Sequence, residues 1–388
     1  MRVNTMDAYD YIVIGLGTVG SATCLELARR GHSVLGLDAR HPPHNLGSHH
    51  GESRSIRRAY LEGTSYVPMA LNSWEAWRRL EHDNKTTLLI STGNLTIGPP
   101  DCPAVSGFLA SARTFGIPYQ YLTAADVSKR WPQLSPAGNF VAGLEVEAGL
   151  LFPELCIELL ISEAQKAGAT LHFDEQADGW SDSGDRVHVH TRQGRYEAGR
   201  LLLAAGAWNK KLAGQFGAQL LPKRVPVQWI DLPAAINFNL GAIPVNFWQL
   251  PAFEVTETCQ YNEFYSIPIT RPGGRVKVAA HNCLEDCDPD RLDEEVSTQE
   301  VKGIIKFIKD YMPTLISFDI FSNICMYTLT PDGEFYLGAL PDHDNVFIAA
   351  LAGHGFKFAP VLGEILADML GGKAPAYDVT MFSPSRFI

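Results

Sequence analysis

A glycine-rich motif near the start of the chain is the clearest candidate for chemistry. Gly15, Gly17 and Gly20 have the spacing G-x-G-x-x-G, and Asp38 follows 18 residues after the last of them. In this pattern the first glycine makes a tight turn, the second lets the backbone reach a pyrophosphate, and the third lets a helix pack closely on a strand. An acidic residue at the position of Asp38 accepts hydrogen bonds from a ribose. The motif predicts a dinucleotide site but does not separate FAD from NAD.

The elements around the motif support this prediction. Residues 11–14 are apolar and predict a buried strand, residues 21–30 have a helical apolar face, and residues 33–37 predict a second strand that ends at Asp38. Together they form a βαβ unit. The sequence also predicts helices at residues 68–82 and 153–168 and a hairpin of residues 186–191 with 196–204. A final strand and helix are predicted at residues 345–350 and 358–370.

Composition excludes several classes of protein. The chain has 388 residues, 46% of them hydrophobic, and a formal net charge of -11, which disfavours nucleic acid as a partner. The sequence has no run of about 18 apolar residues, so it predicts no membrane span. The first ten residues do not resemble a secretory signal. We therefore expect a cytoplasmic globular protein, and its length favours two domains.

The seven cysteines do not predict a disulfide framework, because their number is odd and they are scattered. His281, Cys283 and Cys287 superficially suggest a metal site. A tetrahedral zinc site needs a fourth ligand, and no second pair is spaced to supply it. We therefore predict no metal.

Three segments resemble one known family. Residues 42–63 (PPHNLGSHHGESRSIRRAYLEG), 325–328 (CMYT) and 353–358 (GHGFKF) are similar, in order and nearly in spacing, to segments of the monomeric sarcosine oxidase and N-methyltryptophan oxidase family of FAD-dependent amine oxidoreductases. Looser similarity extends from about residue 9 to the C-terminus.

The resemblance implies an α/β fold. It predicts a Rossmann-type FAD-binding domain interleaved with a substrate domain built on a mostly antiparallel β-sheet with helices. The predicted FAD-binding domain comprises residues 1–89, 149–221 and 321–388, and the predicted substrate domain comprises residues 90–148 and 222–320. A β-rich, proline-punctuated texture between about 222 and 320 agrees with this division.

The resemblance also implies how FAD is held. Cys325 matches the cysteine that carries the flavin through an 8α-S-cysteinyl bond in the family. The cofactor-binding positions further include Ser48 and Ser53, and the turn of Gly353, His354 and Gly355 before the last helix, whose positive end would stabilise negative charge on the flavin.

Other matched residues imply a substrate site. Arg57 and Lys357 would bind a carboxylate, Arg54 would lie near the flavin ring, and Lys277 would promote the reaction with oxygen. Tyr265, His281 and Tyr327 would line the substrate cavity. Without the resemblance, Arg57 and Lys277 could equally be solvated surface charges.

These matches predict oxidation of the C–N bond of a secondary amino acid, N-methylated or cyclic, by a monomer that uses oxygen as acceptor. Three alternatives stay open: a flavin dehydrogenase with another acceptor, an NAD-dependent oxidoreductase, and an inactive FAD-binding module. Retention of Cys325, Arg57, Lys277 and Lys357 together argues against the last.

Two departures from the family pattern suggest a substrate larger than sarcosine. Ala352 replaces a serine before the Gly-His-Gly turn. The segment between residues 244 and 265 looks longer than in sarcosine oxidase and carries Trp248, Phe253 and Tyr261, which would form an aromatic wall over the flavin.

Overall fold

A computed structural model describes residues 7–233, 235–255, 260–282, 284–315 and 319–388 of the chain. The α-helices in these residues are α1 (Thr18–Arg29), α2 (Val67–Asn84), α3 (Pro103–Thr114), α4 (Ala124–Arg130), α5 (Pro153–Lys166), α6 (Asn209–Leu212), α7 (Thr298–Tyr311) and α8 (Ala359–Leu370). The strands are β1 (Asp7–Ile14), β2 (Val34–Leu37), β3 (Arg54–Ile56), β4 (Leu89–Ser91), β5 (Asn94–Gly98), β6 (Tyr119–Thr123), β7 (Val141–Glu145), β8 (Gly149–Leu151), β9 (Thr170–His172), β10 (Ala177–Asp182), β11 (Val187–Thr191), β12 (Arg195–Leu203), β13 (Leu221–Ile230), β14 (Val245–Val255), β15 (Gln260–Ile267), β16 (Val276–Ala280), β17 (Glu285–Asp286), β18 (Ile320–Leu329), β19 (Tyr336–Leu340) and β20 (His343–Ala350).

The first large sheet contains the dinucleotide motif. Its parallel strands lie in the order β20-β12-β1-β2-β9, with β10, β11 and β19 added antiparallel. Their apolar residues are buried on both faces, as expected for a parallel sheet covered by helices. Helix α1 connects β1 to β2 and packs against α5 and α8. The predicted βαβ unit and the predicted hairpin of β11 and β12 are therefore confirmed.

The glycines of the motif fit their predicted backbone roles. Gly15 has φ +96°, a conformation that favours glycine. A Cβ on Gly20 would lie 1.8 Å from the carbonyl oxygen of Gly15, so only glycine allows this approach of α1 to the turn. A Cβ on Gly17 would meet only the imidazole of His49, at 3.5 Å. Gly17 thus leaves its backbone open to a ligand.

The second large sheet is mostly antiparallel, in the order β17-β13-β16-β15-β14-β5-β7-β6, with β18 paired to β13. Helix α7 covers one face, where Phe307 stacks on Phe264 and contacts Trp248. Both the parallel dinucleotide sheet and the antiparallel second sheet agree with the predicted fold class. Strand β18 pairs with β13 over its length, so the second sheet continues past residue 320, where we placed a domain boundary.

A small third sheet has the strand order β3-β8-β4, and Arg54 is the first residue of β3.

Among the described residues, no helix is both long enough and apolar enough to cross a bilayer.

Candidate active site

A cavity of about 800 Å³ lies where the two large sheets meet. It is lined by residues at the carboxyl ends of β1, β2, β12 and β20, and by side chains of β13, β15, β16 and β18. Ligands of open α/β sheets bind at the carboxyl ends of the strands. The cavity therefore extends from the dinucleotide motif to the second sheet.

Asp38 lies at the dinucleotide end of the cavity. One of its carboxylate oxygens accepts a hydrogen bond from the Leu16 N–H at 2.7 Å, and the other accepts one from the Arg40 N–H at 2.9 Å. Burial raises the pKa of Asp38, although the backbone donors oppose this shift. The carboxylate thus stabilises the glycine turn and also lines the cavity.

Residues 48–54 form a loop that brings together Arg54, Lys277 and Cys325. The Lys277 ammonium donates to the carbonyl oxygens of Gly51 and Ser53 at 3.0 and 3.1 Å. The Arg54 guanidinium donates to the carbonyl oxygens of Ser48 and Ser53 at 2.8 Å and lies 3.8 Å from the Cys325 sulfur. These three residues line the cavity, as do the two predicted serines, Ser48 and Ser53.

Lys277 is only 3% exposed. It is therefore not a solvated surface charge, which was the other interpretation that the sequence allowed. Burial, with the nearby charge of Arg54, lowers its pKa to about 7. A cation held at this cost in an enclosed site stabilises negative charge that develops beside it.

Arg57 is also buried, and its partner is Glu62. The guanidinium Nη2 lies 2.7 Å from the Glu62 carboxylate, and Arg57 packs against the rings of Tyr60 and Phe247. Burial alone raises the pKa of Glu62, but the positive charges of its neighbours, Arg57 first and then Lys357, outweigh it and lower the pKa to about 2. The cavity therefore holds an ionised carboxylate beside its cations. Arg57 is thus already paired with a carboxylate of the protein itself.

The rest of this pocket is aromatic. The Tyr327 hydroxyl lies 3.3 Å from His281 Nδ1, and the ring of Phe247 packs edge-on against His281. Burial lowers the pKa of His281 to about 4 and raises that of Tyr265 to about 12. Both side chains are therefore neutral near pH 7 and are suited to hydrogen bonding and packing.

The turn of Gly353, His354 and Gly355 connects β20 to α8 through a short 3-10 turn. A Cβ on Gly353 would lie 2.6 Å from the Tyr327 ring. The ammonium of Lys357 donates to the His354 carbonyl oxygen at 2.6 Å, and burial lowers the pKa of Lys357 to about 7. The turn thus fixes Lys357 at the cavity wall.

Residues 288–295 form a covering segment at the dinucleotide end of the cavity. Lys211 forms ion pairs with Asp288 and Asp290, and the Trp208 indole donates to Asp290 at 2.6 Å. At the other end, the buried Arg224 donates to the carbonyl oxygens of Asp293 and Glu295 at 3.1 and 2.6 Å. Residues in and just before α6 therefore hold one end of the segment, and Arg224 of β13 holds the other.

Comparison with known proteins identifies the family. The model of a family described as FAD dependent oxidoreductase matches residues 10–369. The chain belongs to the FAD dependent oxidoreductase family. A monomeric sarcosine oxidase of Streptomyces avermitilis is 35% identical, and the match covers 97% of each chain. An N-methyl-L-tryptophan oxidase of Citrobacter koseri is 34% identical, over 98% of this chain and 99% of that one.

Solved structures of other proteins share the fold. A variant of NikD, an amino acid oxidase of nikkomycin biosynthesis, superposes with a TM-score of 0.85 at 24% identity, covering 97% of each chain. An L-proline dehydrogenase from P. horikoshii has a TM-score of 0.82 at 21% identity, covering 98% of each chain. The resemblance inferred from sequence is thus confirmed, and the chain is an FAD dependent oxidoreductase, so the purely NAD-dependent alternative is wrong.

The residues present fit FAD. The open backbone at Gly17, the Asp38 carboxylate and a continuous cavity that also reaches Cys325 together suit a long dinucleotide with a ring system. Gly20 lies outside the cavity lining and acts through packing.

Of the residues that suggested a larger substrate, Ala352 and Trp248 do not line the cavity. Ala352 is buried behind the turn and is absent from the cavity wall. Trp248 is fully buried in the core beneath α7, because its ring lies on the face of β14 that meets Phe307. The side chains of Phe253 and Tyr261 lie outside the described residues, as does Cys283 of the rejected metal site.

Sequence reasoning missed Glu62 and Phe247 as site residues. Glu62 was within reach, because it lies five residues after Arg57 in the segment that carries the resemblance. Phe247 gave no such signal, since an aromatic residue in a strand is more often part of a core.

Proposed function

We propose that this protein is a flavin-dependent oxidase that converts the C–N bond of a secondary amino acid to an imine. The substrate loses a hydride from carbon and a proton from nitrogen, and oxygen gains two electrons and two protons to give hydrogen peroxide. The observation that carries this proposal is the single cavity that joins the dinucleotide turn to the buried cations Arg57, Lys277 and Lys357.

FAD, when bound, supplies the hydride acceptor. We propose that the glycine turn and Asp38 hold its adenosine and pyrophosphate, and that Ser48, Ser53 and the turn of Gly353, His354 and Gly355 hold the flavin end. Covalent attachment through an 8α-S-cysteinyl bond to Cys325 is part of the proposal. The buried sulfur at the cavity wall and the matching CMYT segment support it.

Arg57 and Lys357 would bind the substrate carboxylate. Arg57 uses Nη2 for Glu62, while its buried Nε has no hydrogen-bond partner among the described residues. A buried donor without a partner is costly, so a ligand oxygen at this position would stabilise the site. A planar carboxylate suits the guanidinium geometry.

The reacting amine must be neutral before it can lose a hydride from its neighbouring carbon. The positive charges of Arg57, Lys357 and Arg54 disfavour an added ammonium ion nearby and so lower the pKa of a bound amine. Tyr265, His281 and Tyr327 supply neutral walls that exclude water. No separate base is needed if the amine binds in its neutral form.

Lys277 would act in the second half of the reaction, when oxygen is reduced. A buried cation stabilises the negative charge that appears on oxygen. This argues for oxygen as acceptor over another electron acceptor, and measurement of hydrogen peroxide under air separates the two. The cytoplasmic location and the monomeric state stay predictions, which cell fractionation and sedimentation would check.

A substrate panel tests the central claim. Sarcosine, other N-methyl amino acids, L-proline and L-pipecolate would be compared with the matching amines that lack the carboxylate, by kcat/KM and peroxide yield. We expect turnover only of the carboxylate-bearing secondary amines. Equal turnover of the decarboxylated amines would contradict the roles given to Arg57 and Lys357.

A further inference from the structure

Tyr60 lies behind the cavity wall and touches three of its charged or polar groups. Its side chain is fully buried. The hydroxyl oxygen lies 2.6 Å from His354 Nδ1 and 3.3 Å from the Lys357 ammonium. The Arg57 guanidinium lies 5.3 Å from the centre of the Tyr60 ring. Tyr60 therefore contacts the substrate-binding cations without facing the substrate.

The directions of these hydrogen bonds follow from the state of His354. Burial lowers the pKa of His354 to about 4, so its imidazole is neutral near pH 7 and carries one N–H. Its Nε2 lies 3.3 Å from the Gly333 carbonyl oxygen, which can only accept. The proton is therefore on Nε2, and Nδ1 is an acceptor.

It follows that the Tyr60 hydroxyl donates to His354 Nδ1. Its other contact with His354, at the carbonyl oxygen, is longer, at 3.5 Å. With its proton used in this way, the Tyr60 oxygen can only accept from the Lys357 ammonium. The four groups form one directed chain, from Lys357 through Tyr60 and His354 to the carbonyl oxygen of Gly333.

An ammonium has three N–H donors. Two of the N–H donors of the Lys357 ammonium go to the carbonyl oxygen of His354 and the hydroxyl of Tyr60. Within the described part of the chain the ammonium makes no other hydrogen bond. We propose that Tyr60 is a positioning residue, which holds the Lys357 ammonium so that its third N–H faces a substrate carboxylate. This inference rests on the proposed function, in which Lys357 binds that carboxylate.

Tyr60→Phe tests the inference, because it removes the hydroxyl and keeps the ring. Tyr66→Phe is the matched control: Tyr66 is buried in the same aromatic cluster, but its hydroxyl bonds to Glu334. The ligand is tetrahydrofuran-2-carboxylate, which has a carboxylate and no oxidisable amine, and calorimetry of the flavin-loaded protein gives its Kd. We expect roughly tenfold weaker binding for Tyr60→Phe, as for loss of a hydrogen bond to a charged group, and less than a twofold change for Tyr66→Phe.

Two further measurements separate positioning from general damage to the cavity. Loss of an acceptor should make the ammonium easier to deprotonate, so the pH above which binding weakens should fall in Tyr60→Phe. The other charges that face Lys357 are Arg57, Glu62 and Arg54, and they are unchanged in this variant. In a Lys357→Met background, Tyr60→Phe should have no further effect on Kd, because the two substitutions act through the same group.

Wild-type affinity and an unshifted pH profile in Tyr60→Phe would overturn the inference and leave the proposed function intact. Equal weakening with and without Lys357 would also overturn it. If the unaltered protein binds the carboxylate no better than Lys357→Met does, the proposed function itself fails.

Discussion

The two glycines at positions 17 and 20 should respond to alanine in opposite ways. In Gly20→Ala the new methyl would lie 1.8 Å from the Gly15 carbonyl oxygen. Relief to an ordinary contact of about 3.5 Å requires α1 to move by more than about 1.5 Å. Overpacking of this kind costs about 1–3 kcal/mol, so the flavin-free protein should unfold at a lower urea concentration.

Gly17→Ala should leave that folding stability within about 1 kcal/mol, because its methyl would meet only the His49 ring at 3.5 Å. The same methyl would occupy the approach of the pyrophosphate to the backbone, so FAD binding should be lost. Flavin-free protein from a riboflavin auxotroph would be used for two separate measurements. One sample would be unfolded in urea, and a second, folded sample would be titrated with FAD by calorimetry. Normal FAD affinity in Gly17→Ala, or unchanged stability in Gly20→Ala, would refute the reasoning.

Three further predictions concern the far end of the cavity. The flavin should stay with the polypeptide after acid precipitation, and Cys325→Ala should release or lose it; full release of FAD from the unaltered protein would exclude covalent attachment. Lys277→Met should slow reoxidation by oxygen by roughly 100- to 1000-fold and anaerobic reduction far less, as stopped-flow absorbance can show, whereas equal effects would contradict its role. Because burial lowers the pKa of Lys357 to about 7, and a carboxylate needs its protonated form, affinity for tetrahydrofuran-2-carboxylate should be constant below pH 7 and fall about tenfold per pH unit above it; a flat profile to pH 9 would count against Lys357.

Local sequence patterns predicted the dinucleotide end well. The turn from Gly15 to Gly20, helix α1 and Asp38 lie within one short stretch, and their geometry depends mainly on glycine backbone freedom and apolar periodicity. The last strand and helix were predicted for the same reason. Small differences at their ends reflect fraying, since α8 begins at Ala359 after a 3-10 turn.

The substrate end could not be worked out in this way. Arg54 and Cys325 meet across 271 residues, and only the family resemblance brought them together in advance. The orientation of Trp248 depends on which face of β14 meets α7. Because the alternation of polar and apolar residues along β14 is incomplete, the sequence does not specify that face. The pairing of Arg57 with Glu62 depends on the path of the loop between them.

The covering segment, residues 288–295, has consequences for how the holoenzyme is assembled. The Arg224 side chain that holds one end is buried, whereas the ion-paired side chains at the Lys211 end are about half exposed. Exposed ion pairs are weak and screened by salt. The Lys211 end is therefore the one that can release first. In the proposed holoenzyme the cofactor is held covalently and is admitted only once in the lifetime of a chain, so the covering segment has to retain the cofactor and need not permit repeated exchange. We expect flavin incorporation into newly made protein to be faster at higher ionic strength, while turnover of the finished enzyme does not depend on this opening.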